Sequence, residues 1–187
     1  MAADLSLTAD GGARWNVMAA YGAQVQAGKT QAQALDYLKQ LFGHVVVQDA
    51  SAAASLQTFA RGQGDVLLSY ENEAIAARDH GQSVDWVVPD STILIENPVA
   101  VVTSGKNQAA AKAFVDYLRT KPAQEIFAKH GYRPVLDGVS GPDAFPTPPK
   151  LFTIDNLGGW TEVTKKFFDP TSGLIVPIEK AAGAGGG

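Results

Sequence analysis

Three short stretches carry residue types suited to holding an oxyanion. Asp10-Gly11-Gly12 opens the first helical pattern of the chain, Ser51-Ala52-Ala53 opens another, and Ser69-Tyr70 precedes a third. A helix start presents backbone N–H groups that lack an intrahelical acceptor, together with about half a positive charge. Small residues there let an oxygen approach the backbone closely. Two glycines are otherwise an odd choice, since each costs a helix interior roughly 1 kcal/mol relative to alanine. If the three starts converge, they form a cage of donors for a small anion, and no lysine or arginine is needed. Taken one at a time, the same small residues only permit tight turns.

Other chemistries find less support. Glu71 and Glu73 have the types of an acid–base pair, but they sit in the first turn of a helical pattern and suit its dipole. His44, His80 and His130 show no metal-ligand spacing. His80 and His130 each precede a glycine at a helix end, where a cation is favourable. There is no cysteine, hence no thiol nucleophile and no disulfide. Thr103-Ser104-Gly105-Lys106 resembles the end of a phosphate loop. Ala100 occupies the place of its first glycine, however, and Asn107 follows the lysine. Gly62-Gln63-Gly64 lacks the third glycine of a dinucleotide fingerprint and precedes a strand. No nucleophile, base and orienting group stand together, so an esterase acting on sulfate or phosphate esters is disfavoured. Neither a cofactor nor a metal is expected.

The elements that must position these stretches follow from periodicity. Trp15, Met18, Ala19, Gly22 and Val25 mark a helix over 12–27. Thr30 and Gln33 form a capping box before a helix whose apolar face is Leu35, Leu38, Leu41 and Phe42, closed by Gly43. Residues 44–48 and 65–70 read as buried strands, and 84–89 and 92–102 as extended. Ser51 is the N-cap of a helix over 52–60, and a helix follows Tyr70 at once. Further helices are predicted at 107–119, 122–130 and 157–168. Five prolines between 133 and 149 mark a surface connection, and AAGAGGG is a flexible tail. The strand–helix alternation predicts an α/β fold with largely parallel strands.

Bulk properties agree with such a domain. The chain has 187 residues, 45% hydrophobic and 18% charged, with a formal net charge of −4. A mildly acidic chain lacks the basic footprint of a nucleic-acid binder. No apolar run reaches the ~20 residues of a membrane span. The opening MAADLSL is too short and too polar to read as a signal peptide, so no export signal is expected within this chain.

GGARWNVMAAYGAQ, GQGDVLLSYENEA, VDWVVPDSTILIENPVAVV, AQEIFAKHGYRPV and KLFTIDNLGGW occur in this order from residue 11 to about 168. Together they resemble the sulfate/thiosulfate-binding proteins of bacterial ABC importers. The resemblance implies a type II periplasmic-binding-protein fold of two α/β lobes. Residues 1–97 and 140–187 would form the second lobe, and 98–139 would belong to an incomplete first lobe. It implies no enzyme, but a binder of sulfate or a related tetrahedral oxyanion, working with a membrane permease at the periplasmic or extracellular side. The family's paired glycines fall on Gly11 and Gly12, its small helix-start residue on Ala52, and its aromatic donor on Tyr70.

The chain departs from the family pattern in three places. Asp10 stands where the family has a serine, and Ala53 where it commonly has a basic residue. The portion that supplies most of the first lobe has no counterpart here. The resemblance therefore implies a C-terminal portion, and the incomplete lobe predicts a partner chain supplying the rest, a domain-swapped copy, or repacking against the second lobe. An ionised carboxylate only accepts hydrogen bonds, whereas sulfate carries no proton to give. Asp10 thus points two ways. It can cap its own helix, or it can accept a hydrogen bond from a protonated oxyanion such as hydrogen phosphate. A truncated or engineered scaffold with an impaired anion site is a further alternative.

Overall fold

A computed structural model describes residues 2–3, 11–49, 51–141 and 145–183. The chain folds as two compact units, one of Met1–Tyr70, Val87–Ile95 and Pro148–Gly187, the other of Glu71–Trp86 and Glu96–Thr147.

The first unit opens with β1 (Ala2–Ala3) and α1 (Gly11–Gln26), then α2 (Gln31–Gly43). The capping box forms as read: Gln33 N–H donates to Thr30 Oγ1 at 3.3 Å, and Thr30 N–H donates to Gln33 Oε1 at 2.9 Å. Ala34, Leu38 and Phe42, four residues apart, turn one face of α2 inward. Next come β2 (Val47–Gln48), α3 (Ala52–Ala60) and β3 (Leu67–Leu68). The strands form one parallel sheet in the order β2-β1-β3, and α3 packs on β1 and β3.

Three sequence expectations need correction here. The runs 44–48 and 65–70 are not buried strands. Each pairs over two residues only, because both share the two-residue β1 as their ladder partner. Beyond the ladder the apolar side chains are open, Val46 at 64% and Val66 at 55% exposure. Similarly, of the stretches read as extended, only Ser91–Ile93 pairs into a ladder, and 84–89 and 99–102 do not.

That ladder defines β4 (Ser91–Ile93), parallel to β5 (Lys150–Phe152), a strand with no periodic signal in so short a run. A 3-10 turn (Ile154–Leu157) leads into α7 (Gly159–Phe167), and α8 (Val176–Ala181) was not foreseen. The core of this unit gathers Val17, Met18 and Tyr21 of α1, Leu38 and Phe42 of α2, Ile93, Phe152, Val163, Phe167 and Ile175.

The second unit holds α4 (Glu71–Asp79), α5 (Gln108–Leu118) and α6 (Lys121–Lys129). Ile75, Ala77, Ala123, Gln124 and Ala128 are buried in it, whereas α5 has no buried residue. Phe114 and Tyr117 on α5 are exposed, as are Val99 and Val102 before it. Both histidines take the bland role: His130 caps α6, and His80 follows α4 with Nδ1 2.6 Å from the Ala76 carbonyl. Among the described residues no helix is long and apolar enough to cross a membrane.

Candidate functional site

The register of the three-stranded sheet sets the site. Ala3 pairs with Gln48 on one side and Leu68 on the other, so the last residues of three parallel strands lie level along one edge. In open α/β sheets, ligands bind at the carboxyl ends of strands. Two of the helix starts singled out above leave this edge within a few residues. Asp49 and Ser51 follow the end of β2 and lead into α3. Ser69 and Tyr70 follow the end of β3, and α4 begins at the next residue.

Ser51 is the N-cap of α3, with extended backbone (φ −159°, ψ 159°) and its Oγ accepting from Ala54 N–H at 3.2 Å. Accepting that bond leaves its hydroxyl hydrogen to donate elsewhere. Ala52 and Ala53 place no bulk over the helix start, and neither α1 nor α3 has an acidic residue in its first turn. The positive ends of both helices therefore meet no carboxylate of their own within the first turn.

The third helix start is arranged differently. Glu71, the first residue of α4, is bound by both forks of Arg133, with Nε 2.8 Å from Oε2 and Nη2 3.0 Å from Oε1. The paired-carboxylate reading of Glu71 and Glu73 gains nothing from this, since Glu71 is committed to an arginine. Tyr70 is half-buried at the junction.

Gly11 and Gly12 begin α1, and Gly12 is buried. Residues 4–10 join them to the end of β1. Asp10 lies outside the described residues, as does Ala50. One residue was missed by sequence reasoning. Asp49, one place past β2, holds Thr58 Oγ1 at 3.0 Å through Oδ1, while its buried Oδ2 has no hydrogen-bond partner among the described residues. Ser69, one place past β3, likewise has a buried Oγ without a partner among them. Their common position just past a strand end was the available signal. Among the described residues no group of three His, Cys, Asp or Glu side chains could hold a metal. Among the described residues, open concavities lie elsewhere, one at Thr171–Lys180 and one along Val99–Val115.

Comparisons with known proteins give the family of the chain. Residues 6–133 match the family described as bacterial extracellular solute-binding protein. The chain is 41% identical over 165 residues to the sulfate-binding protein of Synechococcus elongatus, covering 84% of this chain and 47% of that one. It is 35% identical over 185 residues to the thiosulfate-binding protein of Escherichia coli, covering 92% of this chain and 54% of that one. Among solved structures it is similar to the sulfate-binding protein SubI from Mycobacterium tuberculosis. The TM-score is 0.76 at 40% identity, over 84% of this chain and 56% of that one. The chain thus spans about half the length of the relatives it matches.

Proposed function

The chain belongs to the bacterial extracellular solute-binding protein family, with a periplasmic-binding-protein-like α/β fold, and on that premise we propose that it binds sulfate or a closely related tetrahedral oxyanion. The observation that carries the reading is the level edge at Ala3, Gln48 and Leu68, from which the small-residue start of α3 at Ala52 leaves within a few residues. The proposed donors are the backbone N–H groups of Gly11, Gly12 and Ala52 and the hydroxyls of Ser51 and Tyr70. All belong to the first unit, and none requires a cationic side chain. Sulfate is a dianion without a proton at neutral pH, so a site made of donors suits it. Fixed backbone dipoles can offset its charge without a counter-ion.

The role that follows is binding rather than catalysis. The protein would hold the anion at the periplasmic or extracellular side and deliver it to an ABC permease. We assign residues 1–97 and 140–187 to the anion-binding lobe and 98–139 to the other lobe, a division that differs from the compact units, which group Glu71–Trp86 with Glu96–Thr147. The exposed apolar side chains of Val99, Val102, Phe114 and Tyr117 support a covering surface contributed by further polypeptide.

A second reading rests on carboxylates. Asp10 precedes the two glycines, and Asp49 keeps a buried oxygen without a partner among the described residues. Acceptors at an anion site favour a protonated ligand, hydrogen phosphate over sulfate. Calorimetry with both anions, on this chain and on Asp10→Ser, separates the readings. Two unit charges 4 Å apart repel by about 4 kcal/mol at an effective dielectric near 20. Asp10→Ser should therefore tighten sulfate binding at least tenfold. Unchanged sulfate affinity would remove Asp10 from the site, and tighter phosphate than sulfate binding by the parent chain would establish the second reading.

A further inference from the structure

We infer that Asp49 is a positioning residue for the start of α3, acting through Thr58, an inference that rests on the reading of that start as part of the sulfate site and goes beyond it by naming what holds the start in place.

Both residues belong to the first unit and lie nine positions apart in sequence. Asp49 stands one place past the end of β2, whose last residue, Gln48, pairs with Ala3. Thr58 lies well inside α3, about 9 Å along the axis from Ala52 at 1.5 Å per residue. The Thr58 hydroxyl donates to Asp49 Oδ1 at 3.0 Å.

The side of the helix that carries this bond is the inner one. Ser51, Ser55 and Thr58 follow the spacing of a single helix face. Ser55, in the middle of that face, is 0% exposed, and α3 packs on β1 and β3. The Asp49 carboxylate is therefore drawn along the buried flank of α3, toward its second turn. The other oxygen, Oδ2, is buried and has no hydrogen-bond partner among the described residues. The Thr58 hydroxyl is thus what orients the carboxylate.

Two tethers bracket the passage from strand to helix. Ser51 Oγ, accepting from Ala54 N–H, ties the first turn of α3 to its own cap. That bond cannot place the helix against the strand, because both of its ends belong to the helix start. The Asp49 bond can, because it joins the strand end to the body of the helix, with one residue between Asp49 and Ser51. The N–H groups of Ala52 and Ala53 lie in the turn that follows, where no intrahelical carbonyl reaches them. Donors held in place before the anion arrives need no ordering when it binds, and that raises affinity.

Positioning and charge act here with opposite sign. By charge alone, removing a carboxylate close to a dianion tightens binding. Removing a carboxylate that holds the donors in place weakens it.

The test measures sulfate affinity by calorimetry and amide exchange by mass spectrometry, both on the intact chain. Thr58→Val keeps the shape of the side chain and removes the donor. It should speed exchange over residues 51–56 at least about fivefold, while exchange over 31–43 in α2 stays unchanged. Sulfate affinity should fall about five- to tenfold. Asp49→Ala should cause a similar fall, and the double variant should fall no further. Thr58→Ser keeps the hydroxyl and should return affinity and exchange close to the parent's.

Tighter sulfate binding by Asp49→Ala overturns the inference, because it would set the carboxylate against the ligand. Unchanged exchange over 51–56 in Thr58→Val overturns it as well. So do additive losses in the double variant, or exchange that rises equally in both segments, since the bond would then serve stability alone. Asp49→Ala decides by the same outcomes if Thr58→Val melts below working temperature. If the parent chain binds no sulfate, the ligand reading fails separately, and exchange over 51–56 still decides whether the bond positions the start of α3.

Discussion

Trp15 of α1 and Trp160 of α7 meet edge to face, with ring centroids 4.7 Å apart and planes at 86°. The pair ties the helix that begins with Gly11-Gly12 to the helix that follows the 3-10 turn, and such a contact contributes about 1 kcal/mol beyond area burial. Trp15 lies about one turn from the start of α1, so an anion held there should alter its emission. The expected result is a saturable change on adding sulfate that Trp15→Phe abolishes while calorimetric binding persists. Trp86, in the second unit with Arg78 stacked 4.9 Å from its ring centroid, should not respond.

Ser51 serves α3 as a cap through its oxygen and offers its hydrogen to a ligand. The two roles separate by substitution. Ser51→Ala loses both, costing about 1 kcal/mol of stability as well as affinity. Ser51→Asp keeps a capping oxygen but has no proton to donate. Its denaturation midpoint should stay close to the parent's, and its sulfate affinity should fall more than tenfold in calorimetry. Equal affinity for Ser51→Asp and the parent would remove Ser51 from the site.

Gly22 on α1 lies against the Phe152 ring so closely that a methyl group would overlap the ring edge. Alanine is the better helix former by about 1 kcal/mol, yet Gly22→Ala should destabilise, because overpacking in a close-packed core costs about 1–3 kcal/mol. Urea denaturation should show a lower midpoint. Pairing the change with Phe152→Leu should recover part of the loss, as expected for a steric cause.

Two carboxyls give stability opposite pH dependences. Burial of Glu179 on α8 pushes its carboxyl above the ordinary glutamate value. The folded state then holds the proton more tightly than the unfolded state, so stability falls as pH rises through that window. Glu179→Gln should raise the melting temperature at pH 7, and the gain should vanish near pH 4. Asp169 is held below the ordinary value by hydrogen bonds from Ser172 N–H, the Ser172 hydroxyl and Thr171 N–H. Its contribution is present above the ordinary aspartate value and is lost as pH falls through the lowered one. Asp169→Asn should lower the melting temperature at pH 7 and make no difference near pH 2.

Local signals were legible where one element carries its own instructions. The capping box at Thr30 and Gln33, the cap at Ser51 and the span of α3 follow from neighbours within a few residues, and the structure reproduces them. The strands were less legible. A valine run announces an apolar surface but not how far a ladder extends, which depends on a partner distant in sequence. Here that partner is Ala2–Ala3, a pair of residues with no strand signal of its own. β5 and α8 are too short for periodicity to register.

The sequence by itself determined the family, the small residues at the helix starts and the caps that shape them, because these depend on residue type and local spacing. Only the tertiary structure decided that β2 and β3 flank β1 in level register, that the Glu71 carboxylate is taken by Arg133, and that Gly22 is bound to stay a glycine. Each of those facts joins positions far apart in the chain. Packing and ladder register choose such partners, and no local pattern records the choice.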